Sequence, residues 1–80
     1  MMNKDIVFPQ YRKLANSKSF YKITSDRNFE EIQLVGSLKN KYMFEAKIYP
    51  EILKINDILD LVDENYLESS ESEWNLLYKE

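Results

Sequence analysis

Between Tyr42 and Tyr49 apolar and polar side chains alternate. Tyr42, Phe44, Ala46 and Ile48 fall on one side of an extended chain, Met43, Glu45 and Lys47 on the other. That period of two predicts a strand with one face on a core. Pro50 cannot donate to a ladder, and its fixed φ suits the first turn of a helix. Past it the period lengthens. Ile52, Ile55, Ile58, Leu59 and Val62 gather on one side of a helix, while Asp57, Asp60, Asp63 and Glu64 lie elsewhere and Asn65 is a stop. A strand with one apolar face, followed at once by a helix with one apolar stripe, predicts a two-layer core.

The flanking pattern extends this unit. Tyr11–Leu14 and Ser19–Ile23 enclose Ala15-Asn16-Ser17-Lys18, and Asn and Ser bond their own backbone in turns, so the segment reads as a hairpin. In its second strand Tyr21 and Ile23 face the core and Phe20 and Lys22 the other side. Residues 24–36 admit two readings. As a strand, Ile32 and Leu34 alternate with Glu31, Gln33 and Val35. As a helix, Asn28 caps with Glu31 three residues on, Phe29, Ile32 and Val35 share a face, and Gly36 stands at the left-handed stop. The helix is favoured, although Leu34 falls off its apolar face. Ser37–Asn40 then turns into the central strand. Tyr66–Glu68 is a short strand or a connector, and Ser70 with Glu73 opens a last helix through Lys79 that packs Trp74, Leu77 and Tyr78. Ile6-Val7-Phe8 can add a short edge strand before Pro9.

These elements predict an α+β fold: a small antiparallel sheet of three to four strands with two to three helices packed on one face, in a single domain over residues 1–80. Eighty residues hide a smaller share of their surface than a larger chain, and without cysteine no disulfide compensates. The aromatic share of 14% therefore carries much of the core. No apolar run is long enough for a signal peptide or a membrane span, so the cytoplasm is the expected compartment. Richness in Asn, Ile, Lys and Glu points to an AT-rich bacterial or phage genome.

Charge divides the chain. Residues 1–27 hold six cations against two carboxylates, a net +4, and residues 28–80 hold five against twelve, a net −7. With no His and no Cys, the usual zinc, haem and iron–sulfur ligands are missing, as are a Ser–His triad and a Cys nucleophile. One glycine cannot build a phosphate-cradling loop. Asp57, Asp60 and Asp63 drift around a helix instead of converging, so they read as a solvated face, and Glu30-Glu31 as a cap and its neighbour. No cofactor, metal site or catalytic residue is expected, and the protein is read as non-enzymatic.

What remains is a surface. Phe20 and Met43 lie opposite the predicted core face, beside the cations Arg12, Lys13 and Lys22. This set predicts a protein-interaction or assembly module that takes a protein partner or a second copy as a homodimer, with charge orienting the encounter. The alternative is a nucleic-acid-associated protein, with Tyr11, Phe20 and Tyr21 stacking bases and the cations meeting phosphates. The pattern Tyr11-Arg12-Lys13, Phe20–Ile23, Phe29–Gln33, Gly36, Ala46, Tyr49-Pro50-Glu51 and Asp57-Ile58-Leu59 resembles small uncharacterised proteins of Bacteroidota bacteria. That resemblance implies no activity, ligand or site residue.

Overall fold

The computed structural model describes residues 7–61 and 64–78. Ile6, Val62, Asp63 and Lys79, which the pattern assigns to elements, lie outside them. The chain forms β1 (Gln10–Leu14), β2 (Ser19–Ile23), β3 (Asn28–Val35), β4 (Leu38–Glu45), α1 (Tyr49–Asp60), β5 (Tyr66–Glu68) and α2 (Glu71–Tyr78). All strand pairs are antiparallel, in the order β4-β3-β2-β1-β5. Four strands run as a meander. Helix α1 then carries the chain from the β4 edge to the far edge, where β5 pairs with β1. The architecture is α+β as expected, with five strands.

The β1–β2 hairpin falls where the pattern places it, around residues 15–18. Ser17 N–H donates to the Leu14 carbonyl at 2.8 Å, and Lys18 N–H to Asn16 Oδ1 at 2.9 Å. Residues 28–35 are a strand and not the favoured helix. Asn28 caps nothing; its side chain accepts from Ser25 Oγ at 2.9 Å within the preceding turn. Phe29 stands opposite Ile23 and Phe44, and Ile32 opposite Phe20. Gly36 and Ser37 make a two-residue turn between Val35 and Leu38, with Gly36 at φ +62°, the first central position where such turns favour glycine.

The expectation of helices on one face is corrected by the register. On one face α1 buries Ile55, Ile58 and Leu59 against Tyr21, Ile23, Phe29 and Ala46. On the other, α2 lays Trp74 on Phe20 and Ile32, with Tyr11, Leu34 and Leu77 around them. The sheet is therefore sandwiched, and its central strands are apolar on both sides. That explains the misread segment. In a strand covered on both faces Phe29 and Ile32 point to opposite cores, and their spacing of three imitates a helix.

Local chemistry sets the helix ends. Ile48 has no polar atom to cap α1, but the Glu51 carboxylate accepts from Lys47 N–H at 2.7 Å and Ile48 N–H at 3.3 Å. The helix ends at Leu61, in the left-handed region at φ 54°, four residues before the predicted stop at Asn65. Ser70 caps α2 as expected, its hydroxyl accepting from Glu73 N–H at 3.1 Å.

A candidate interaction surface on the β4 edge

The five residues read from the sequence as one surface are divided by the fold. Phe20 is 7% exposed beneath Trp74, so it offers nothing to a partner. It was opposite one core because it belongs to a second. Arg12 stands on the α1 face of the sheet, the other four on the α2 face. Met43 and Lys22 lie along one cross-strand row, Tyr11–Lys22–Glu30–Met43, in which Lys22 is half-buried and Met43 is 85% exposed. Of the predicted surface, Met43 is the side chain left fully open.

The cations have structural work. Neither helix has a basic residue in its last described turn, and a cation from elsewhere in the chain suits the final carbonyls and the negative dipole end there. The sheet provides it. Arg12 Nη2 donates to the Leu59 carbonyl at 2.9 Å and Nη1 to the Tyr11 carbonyl at 2.8 Å. Burial lowers the pKa of this guanidinium, and the carboxylates of Glu68 and Asp60 offset it. At α2, Lys39 Nζ donates to the Leu77 carbonyl at 3.3 Å and Lys41 Nζ to the Tyr78 carbonyl at 3.0 Å, 4.3 Å from the centre of the Tyr78 ring. Lys13 meets Glu73 at 3.1 Å. The Glu73 pKa is held below the ordinary carboxylate value by hydrogen bonds from Ser69 and Lys13, with the Lys13 charge adding to them. Lys13 of the +4 segment thus pairs with Glu73 of the −7 segment inside one chain.

The two helices leave a diagonal pair of bare regions. Strands β3 and β4 are eight residues long, β1 and β2 five, so the hairpin around Gly36 runs past its neighbours. On its α1 face Val35 and Leu38 (63% exposed) stand uncovered opposite one another, and Tyr42 (48% exposed) is uncovered on the same face beyond the Gln33–Asn40 pair. On the other face, toward the opposite end, Met43 stands beside Glu30 and Glu45. Between these regions runs β4, the edge of the sheet.

The hairpin register settles which backbone groups of β4 point outward. In a two-residue hairpin the flanking pair, here Val35 and Leu38, exchanges hydrogen bonds, and alternate residues follow. Ala46 N–H donates inward to the Arg27 carbonyl at 2.7 Å, which confirms that even-numbered residues face β3. Lys39, Lys41, Met43 and Glu45 therefore direct N–H and C=O away from the sheet. Such a row is a template for another strand. Sequence reasoning missed Val35, Leu38 and Tyr42 as surface residues; a Gly-Ser turn between two alternating runs was the signal that could have found the hairpin.

An open groove beside α1 is lined by Leu53, Lys54, Asp57 and Glu64 among others, with charges of both signs. Among the described residues no three carboxylates stand close enough to hold a metal ion. No helix among them is long and apolar enough to cross a membrane. Comparison of the chain with protein-family models, curated proteins and solved structures finds no match.

Proposed function

We propose that this protein is a small non-enzymatic interaction or assembly module whose working surface is the β4 edge with the exposed side chains of Val35, Leu38 and Tyr42. The observation that carries this reading is the eight-residue edge strand, bordered by exposed apolar side chains on one face and by Met43 on the other. An extended partner added there gains main-chain hydrogen bonds from the edge and apolar contact from those side chains. The observations weigh against the nucleic-acid alternative. Tyr11 packs on Trp74, Arg12 is drawn to the end of α1 and Lys13 to Glu73, so the N-terminal hairpin presents no open stacking platform.

Site-specific photocrosslinking in the native cell tests the reading. A photoreactive side chain at Tyr42 is expected to give a discrete adduct, and one at the exposed Asn16, in the β1–β2 loop, to give none. No adduct from Tyr42, or equal adducts from both positions, would overturn it.

A further inference from the structure

Resting on that reading, we infer that the partner of the β4 edge is the β4 edge of a second copy, paired antiparallel about a two-fold axis that passes beside Tyr42. An isologous antiparallel pair must set some residue opposite its own copy. Only a few residues of β4 can take that place, and their side chains separate them. With Lys41 on the axis, two like charges face one another, which costs stability. With Asn40 there, Lys39 faces Lys41 twice. With Met43 there, Lys41 faces Glu45 of the other copy, but the overlap shortens from residues 39–45 to residues 41–45 and Lys39 loses its opposite residue within the strand. With Tyr42 there, Lys39 faces Glu45 of the other copy at both ends, Lys41 faces Met43, and Asn40 faces Phe44.

The same register suits the backbone. Lys41 and Met43 both direct their main-chain groups outward, so opposite one another they form the closely spaced pair that exchanges N–H···O bonds in both directions. Tyr42 and its copy then form the pair whose side chains approach most closely, on the face where both are half exposed. The strand is thus complementary to itself in charge, hydrogen bonding and aromatic contact at once. A partner of unrelated sequence would meet that pattern only by imitating it.

Lysines on an edge strand ordinarily guard it against pairing. Here Lys41 stands on the α2 face, and its ammonium group reaches the carbonyl of Tyr78 instead of crossing the edge. Lys41 of each copy is thereby drawn off the axis. The joined sheets would run continuously through ten strands, with α1 of both copies on one side and α2 of both on the other. An interface this narrow falls below about 1,200 Å² and belongs to the weak class.

Sedimentation equilibrium over about 1 μM to 1 mM, a range that brackets weak association, tests the pairing. Circular dichroism checks that each variant is folded. The wild-type chain is expected to pass from monomer to dimer. Met43→Pro removes an outward N–H that bonds nothing within the sheet, so it should leave a folded monomer. Glu45→Lys places like charges opposite one another and should weaken the dimer at least about tenfold. Adding Lys39→Glu to it restores opposite charges and should recover the dimer. A chain monomeric throughout, or a dimer indifferent to Met43→Pro, overturns the proposal, and a folded double variant that stays monomeric overturns the register. If the wild-type chain is monomeric while the Tyr42 crosslink captures a different protein, self-pairing fails and the interaction module stands.

Discussion

Replacing Trp74 with alanine removes the one fully buried side chain of α2. Trp74 is 3% exposed and sits on Phe20 and Ile32, stacked on its other side with Tyr78 at 6.1 Å between ring centroids. Truncating a buried aromatic to alanine costs about 3–5 kcal/mol. A chain of this length has roughly 4–12 kcal/mol in total, at ~0.05–0.15 kcal/mol per residue. The loss is therefore a large fraction of the whole. It is not confined to the cavity, because eight residues are too few to stay helical without packing. Releasing α2 also frees Lys39, Lys41 and Lys13 from the carbonyls and carboxylate they hold. Urea unfolding followed by far-ultraviolet circular dichroism measures the effect, since the substitution deletes the only tryptophan. With an m value of about 1 kcal/mol/M for so small a chain, the midpoint should fall by roughly 3 M or leave the variant unfolded in buffer. Leu76→Ala, on the same helix but 72% exposed, should stay within about 0.5 kcal/mol of the wild type. A Trp74→Ala loss no larger than that of Leu76→Ala would refute the docking of α2 and return Phe20 to the surface.

Two further outcomes follow from the backbone and from burial. Gly36→Ala should destabilise by about 1–2 kcal/mol through left-handed strain alone, because no atom beyond the adjoining residues lies within 4 Å of the added Cβ, and Gly36→Asn should lose less; equal, negligible losses in urea titrations would contradict the turn. Burial first, and then Glu31 and Tyr66, raise the Tyr21 pKa above its ordinary value of 10.0. The unfolded chain therefore gives up this proton before the folded one, and stability should fall as pH rises above that value, by at most about 1.4 kcal/mol per pH unit. Tyr21→Phe should flatten that alkaline limb, and an unchanged slope would show that Tyr21 does not control it.

The elements that depend on near neighbours were legible along the chain. The β1–β2 hairpin follows from Asn16, whose side chain bonds the Lys18 backbone, the start of α1 from Pro50, and the start of α2 from Ser70 and Glu73. The α+β class and the stripe of Ile55, Ile58 and Leu59 came from periodicity in the same way. Each is settled within a few residues, where sequence distance is also spatial distance.

Only the tertiary structure decided which faces are covered and which strand is last. Alternation showed that Phe20 and Met43 point away from one core, but not that α2 returns over Phe20 and stops short of Met43. Residues 28–35 carry a helical spacing because two separate cores draw on one strand, and nothing local reveals the second core. Arg12 read as a surface cation until α1, distant in sequence, brought its carbonyl end to it, and Lys39 and Lys41 meet the end of α2 in the same way. The open edge of β4 is of the same kind. Its eight residues read like any other strand, and the placement of β5 beside β1 on the far side of the sheet is what leaves β4 outermost.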